Sequence, residues 1–391
     1  MDYIPFKDTK VKHYIDDNVY NQAIKRIKEV ISITDDRIVL FSGGKDSLVV
    51  LNLVQEVYDE LGITEKVKVA FFDEEIIPQE VIDFVTEIYK SKKYDFRYYA
   101  IPLASQKHLL GQTFSYTQFD PNREWVRQPP KFAITLENSK IRFNEHTVDR
   151  DKFTCADLKG KVAMFKGLRA DESIFRLNAC TSKPNKTYIN KTGFSHIISV
   201  KPIYDWTEND VFLYFYKNNI KYCPTYDKQM WNNQILRVAT PFLAEGRKSF
   251  HKVKTYNDDF FDKILKVFPE MVLQDKYGND YVGVKYDFSK YSPNIRGLYQ
   301  FIDDTITDKQ QNQHCKTNIK RALSTRKHRK NDIDKFGGYP LYELFKKVSN
   351  GGYKRNIPPK IKCTLKDYLF EGYTEQDYVN YLNYINRYRA V

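Results

Sequence analysis

The sequence predicts an α/β fold, a doubly wound and mostly parallel sheet, with an added, mainly helical C-terminal region. Three observations carry this expectation. Short, fully apolar runs alternate with amphipathic stretches over the first hundred residues. Those runs are apolar on both alternating positions, which is how strands covered on two faces read. Beyond about residue 290 such runs stop, and a more basic, polar chain with helical spacing follows. With 391 residues and 41% hydrophobic content, core burial is not limiting.

Asp16 and Asp17 precede NVYNQAIKRIKEVI, where Val19, Ala23, Ile27 and Val30 keep helical spacing, and an aspartate is a good N-cap. RIVLF then reads as a buried strand, SLVVLNLVQEVYDEL as a helix stopped by Gly62, and VKVAFF as a second strand ending at Asp73. Pro78 opens the helix PQEVIDFVTEIYK, and FRYYAIPL is a third strand. Strand, helix, strand, helix, strand implies right-handed crossovers. The alternation fades between about 105 and 150, which reads as a partly irregular insertion. Strands return at VAMFKGL and SHIISVKPIYDW, with helices at ADESIFRLNAC and from Thr207. TPFLAEGRKSFHKV and DDFFDKILKVF read as helices. So do NIRGLYQFIDDTI, the lysine-arginine run, PLYELFKKV and TEQDYVNYLNYINRY. Two regions are expected: an α/β domain over 1–290 and a basic helical one over 291–391.

The net charge of +13 suits an anionic partner, or serves solubility alone. Aromatic content is 15%, with 30 Tyr and 26 Phe, a richness that an AT-rich genome also produces. The five cysteines, Cys155, Cys180, Cys223, Cys315 and Cys363, are scattered without CxxC spacing, which argues against a zinc ribbon or iron–sulfur cluster. Free thiols, an N-terminal MDYIPFKDTK without an apolar core and the absence of 18 uninterrupted apolar residues lead to the expectation of a cytoplasmic protein without a membrane span.

The stretch that carries chemistry is SGGKDS, residues 42–47, between the first strand and its helix. Parallel sheets bind ligands at the carboxyl ends of their strands. Gly43 and Gly44 admit positive φ and close approach. Successive N–H groups and the helix N-terminus favour an anion. Ser42 and Ser47 add hydroxyls and Lys45 a point charge. Asp46 caps the helix or helps hold a metal ion. The loop is not a Walker A motif, since GxxxxGK[ST] is absent. It reads as a cradle for phosphate or sulfate, against the alternative of an ordinary strand-to-helix turn.

SGGKDS resembles the pyrophosphate loop of the ATP pyrophosphatase and phosphoadenosine phosphosulfate (PAPS) reductase superfamily. That resemblance implies an adenine nucleotide alpha hydrolase-like fold. FFDEE (71–75) places Asp73 where relatives have an acid near the nucleotide. GLRADESIFR (167–176) resembles the reductase-type arginine motif, which assigns Gly167, Arg169 and Arg176 to the anionic end of the nucleotide. PIYDWTENDV (202–211) resembles the segment that follows it. NREWVRQPPK (122–131) and LRVATPF (236–242) resemble a phage- and prophage-linked branch that includes the IbrA-type co-activators. Arg127 and Arg237 are candidate ligand contacts on this resemblance alone. The resemblance covers roughly residues 14–305.

On residue chemistry alone, Arg169 and Arg176 are either two forks on one oxyanion or surface partners of Asp171 and Glu172. Trp206 and Asp210 read as packing and a helix cap, and Trp125 as packing or a base-stacking ring. Lys316–Lys330, with seven Lys or Arg and no acid, is either a nucleic-acid contact or a solvated face. The reductases' ECGLH-like segment is absent, since Cys363 lies in IKCTLKDYL, so PAPS reduction by the usual thiol route is not expected. Three functions remain. One is cleavage of ATP between the α- and β-phosphates with Mg²⁺, using Lys45, Asp46 and Asp73. Another is sulfur transfer from PAPS. The third is a nucleotide-gated co-activator acting on DNA with a ParB-like partner.

Overall fold

The computed structural model describes residues 15–139, 150–181, 187–243, 250–278, 287–324, 340–354, 357 and 364–389. The chain divides into two compact units, residues 1–105 with 117–272, and residues 106–116 with 273–391.

In the first unit, α1 (Val19–Ser32), β1 (Asp36–Phe41), α2 (Lys45–Glu60), β2 (Lys68–Phe72), α3 (Gln79–Lys90) and β3 (Asp95–Tyr99) follow the expected alternation. The cap of α1 falls on Asn18, whose side chain accepts from Asn21 N–H, and not on Asp16 or Asp17. Within the stretch that reads as irregular, β4 (Leu103–Leu109) and β5 (Gln112–Gln118) form a two-stranded hairpin. Its turn, Leu110–Gly111, has positive φ at both positions, the geometry of a primed hairpin turn, but lacks the Asn-Gly or Asp-Gly signal. There follow α4 (Arg150–Thr154), β6 (Val162–Lys166), α5 (Ile174–Thr181), β7 (Ile189–Lys191), β8 (Ile197–Val200), α6 (Glu208–Asn218), α7 (Thr225–Trp231), α8 (Phe250–Tyr256) and α9 (Asp258–Val267), while α10 (Met271–Tyr277) falls mostly in the second unit. Helix α6 begins in a capping box between Thr207 and Asp210, and Trp206 is buried with its indole N–H on Val19 O at 3.0 Å.

The main sheet runs β3-β2-β1-β6-β8-β7. All neighbours are parallel except the edge pair β7/β8. Strand order reverses between β1 and β6, which makes the carboxyl ends of these two strands the switch point. Val39, Phe41, Val69 and Phe165 pack one face against Val49, Leu53 and Val57 of α2, while Ile38, Ala70, Val162 and Met164 serve a second cluster. Arg26 fastens α1 by a bidentate pair with Asp205 at 2.7 Å and a bond to Pro202 O at 2.8 Å.

The second unit contains α11 (Ile295–Thr305), α12 (Lys309–Ser324), α13 (Leu341–Ser349), α14 (Leu365–Phe370) and α15 (Glu375–Arg389). It has its own core of Phe288, Leu298, Ile302, Ile319, Leu344 and Phe345 among others. The tip of the β4–β5 hairpin belongs to this unit, where Thr113 N–H donates to Asn350 O at 2.9 Å. No helix among the described residues is long and apolar enough to cross a membrane.

Candidate functional site

The turn after β1 is shaped by steric demands. Gly43 has φ +76°, and a Cβ there would lie 2.8 Å from Val81 and 2.9 Å from Val85. Helix α2 begins at Lys45 with no side-chain cap. Ser47 Oγ donates to Gly44 O (3.0 Å) and accepts from Ser42 N–H (3.1 Å), so the loop folds over its own hydroxyls. Asp46 does not cap the helix. It accepts from Arg169 Nε at 2.6 Å and lies 3.2 Å from Lys45 Nζ. The Lys45 N–H donates to Tyr226 Oη of α7 at 2.9 Å. Burial pushes the Tyr226 phenol well above its ordinary pKa, so it stays protonated.

The loop after β6 meets this turn at backbone contact. A Cβ on Gly167 would stand 2.5 Å from Ser47 N and 2.6 Å from Asp46 C, so only glycine allows the approach. Two residues on, Arg169 is buried, 3% exposed, and its guanidinium is surrounded by carboxylates. Its Nη1 donates to both oxygens of Asp171 at 2.8 Å, and Glu172 and Glu208 lie 3.9 Å away. Glu208, at the start of α6, also lies 3.1 Å from Lys45 Nζ. Arg176, in the first turn of α5, pairs with Glu172. The pairs with Asp171 and Glu172 therefore exist, but around a buried guanidinium instead of on an open surface.

These groups line one cavity of about 580 Å³ at the switch point, bounded on another side by Ile235, Leu236, Arg237 and Val238. It gathers Ser42, Gly44, Lys45, Asp46, Ser47, Gly167, Arg169, Arg176 and Arg237 from three separate segments. Sequence reasoning missed Lys166, Glu208 and Tyr226, which also line it. Glu208 stood inside the quoted PIYDWTENDV motif, whereas Tyr226 carried no signal.

Asp73 and Arg127 lie outside this lining. They pair with each other, and Asp73 also accepts from Tyr98 Oη at 2.7 Å and from Glu75 N–H at 2.8 Å. The adjacent Glu75 is fully buried and takes both Arg123 nitrogens with the Val126 N–H. Asp73 and Glu75 thus anchor the 119–127 segment, while Glu74 accepts from Thr240 N–H. Trp125 packs edge-on against Phe119. None of the four described cysteines lines the cavity, and Cys363 lies outside the described residues.

The sequence model of the phosphoadenosine phosphosulfate reductase domain matches residues 36–260, more than half of the chain. The chain belongs to that family. Among curated relatives of this PAPS reductase domain protein, the uncharacterized protein YbdN of Escherichia coli (strain K12) is 29% identical over 59% of this chain and 60% of its own length. An adenosine 5'-phosphosulfate reductase of Geobacillus kaustophilus is 30% identical over 28% of this chain and 46% of that protein. The chain spans less than two thirds of the length of the curated relatives it matches. Among solved structures, an FMN adenylyltransferase of Candida glabrata bound to FAD and inorganic pyrophosphate aligns at 14% identity and a TM-score of 0.35, covering 54% of this chain and 59% of that one.

Proposed function

We propose that this PAPS reductase domain protein binds ATP and cleaves it between the α- and β-phosphates, passing AMP to an acceptor oxyanion. The observation that carries this reading is the mixture of charges in the cavity. Lys45, Arg169, Arg176 and Arg237 share it with Asp46, Asp171, Glu172 and Glu208. Four carboxylates beside an anion cradle oppose a bare polyanion and suit one that brings a divalent cation. The donors are hard oxygens, which fits Mg²⁺. Among the described residues no group of three His, Cys, Asp or Glu is poised to hold a metal alone, so the ion would be shared with the nucleotide phosphates. Asp46 and Glu208 would hold it, and it would supply charge neutralisation at the phosphates.

The chain's own residues supply positioning and electrostatics. The N–H groups of the 42–47 loop and the start of α2 orient the β- and γ-phosphates. Lys45 and Arg169 exchange their carboxylate partners for phosphate oxygens. The acceptor oxygen forms a bond to the α-phosphorus as the α–β bridging P–O bond breaks, and pyrophosphate departs with the electron pair. Water is a competing acceptor, so the cavity must bind the true one.

A second reading, sulfur transfer from a sulfonucleotide, is favoured by the family match at residues 36–260. Against it stands the absence of a described thiol from the cavity. Thermal shift separates the two. ATP with Mg²⁺ at a hundred times its dissociation constant adds about 2.7 kcal/mol of stability. The response should exceed that to PAPS and should vanish in Lys45→Ala. A larger response to PAPS, or sulfite release from it, would sink the ATP reading.

A further inference from the structure

The second unit carries most of the chain's excess charge. Residues 106–116 and 273–391 hold 23 Lys and Arg against 13 Asp and Glu, so +10 of the net +13 lies there. Helix α12, KQQNQHCKTNIKRALS, contains four of these cations and no acid. Cys315, Asn318, Ile319 and Ala322 face the unit's core. Lys309, Gln313, His314, Thr317, Lys320 and Arg321 are exposed. At 3.6 residues per turn these six occupy a continuous arc of about 140°. Lys316 lies at its edge and is held by Asp303 of α11 at 2.5 Å. Among the described residues no carboxylate pairs with Lys309, Lys320 or Arg321. Lys309 stands in the first turn of the helix, where the dipole disfavours a cation, so helix stability does not explain it.

We infer that the outward face of α12 binds duplex DNA in the major groove. Charge complementarity is the first ground, since an acid-free cationic face meets a polyphosphate without internal competition. Shape is the second, because the major groove of B-DNA, about 12 Å wide, admits a helix, and α12 at about 1.5 Å per residue is long enough to lie in it. The neutral groups between the cations, Gln313, His314 and Thr317, are types that hydrogen-bond to base edges and phosphates. Other anionic partners fit less well. Duplex RNA has a major groove too narrow for a helix. Single strands are held by stacking on aromatic rings, and the arc carries none. An acidic protein would require an apolar anchor, also absent from the arc. A membrane surface would need the apolar side of α12, which is already buried in the unit's core.

The test uses the full chain and a labelled, mixed-sequence 24-base-pair DNA duplex, followed by fluorescence anisotropy between 50 and 200 mM salt. The same measurement is made with one strand alone, with duplex RNA of the same sequence and with anionic phosphatidylserine vesicles. Duplex DNA should bind tightest. Lys309→Gln, Lys320→Gln and Arg321→Gln together should reduce the slope of log K against log salt by about 3, at about 0.9 per phosphate contact. Circular dichroism melting should show the triple variant folded. Lys45→Ala should leave the DNA slope unchanged, which separates this inference from the ATP reading. An unchanged slope in a folded triple variant would overturn the inference. So would binding of single strands, duplex RNA or vesicles at least as tight as that of duplex DNA.

Discussion

The contact between Gly167 and the start of α2 makes a quantitative demand. Gly167→Ala places a Cβ 2.5 Å from Ser47 N, 2.6 Å from Asp46 C and 2.7 Å from Asp46 O. All three neighbours are backbone, so no side chain can rotate away. Restoring an ordinary 3.4 Å contact moves the two backbones apart by about 0.9 Å. Overpacking of this kind costs about 1–3 kcal/mol. For a unit of this size that lowers the melting temperature by roughly 2–4 °C per kcal/mol, which leaves the protein folded at 25 °C. The functional loss should be larger, because the displaced atoms belong to the turn proposed to cradle the phosphates, and a shift near 1 Å costs about 100-fold in turnover. Pyrophosphate release from ATP with Mg²⁺ and the melting temperature are read together. Gly193→Ala is the control, since nothing lies within 4 Å of its Cβ. A Gly167→Ala protein with wild-type melting and wild-type nucleotide response would refute the claim that these loops touch.

Three further outcomes are expected. Tyr226→Phe removes the acceptor of the buried Lys45 N–H and should cost about 1–3 kcal/mol in urea denaturation, with weaker nucleotide binding. Asp73→Asn leaves the Arg127 guanidinium buried without its charge partner and should cost about 3–5 kcal/mol of stability. A selective loss of nucleotide affinity at unchanged stability would instead put Asp73 on the ligand. Burial pushes the thiols of Cys155 and Cys315 up to about 12 from an ordinary 9.0. The unfolded chain therefore releases these protons first, so stability is intact below pH 9 and declines between about pH 9 and 12. Iodoacetamide at pH 8 should spare both thiols in the native protein, and rapid labelling would contradict their burial.

Much of the candidate site's local structure was legible because its signals are local. Gly43 and Gly44 between an apolar strand and an apolar helix announce a turn at the end of a parallel strand, whatever the rest of the chain does. The capping box at Thr207 and Asp210 is likewise a four-residue affair. The β4–β5 hairpin was not legible, because its residues are half polar and its Leu-Gly turn lacks a strong turn signal. Tyr226 lies 181 residues from the amide it accepts, and no spacing rule reaches that far.

The chain's local patterns determined the order of the parallel strands and their helices, the position of the SGGKDS turn and the excess of positive charge toward the C-terminal end. These depend on periodicity, on glycine's freedom and on composition, all properties of short windows. Which charges meet was fixed by the packed fold. It set Arg169 among Asp46, Asp171 and Glu208, joined Asp73 to Arg127 outside the cavity, and left Lys320 and Arg321 exposed while pairing Lys316. An ion pair depends on distance in space, and distance in space is fixed by the packing of the whole sheet and its helices.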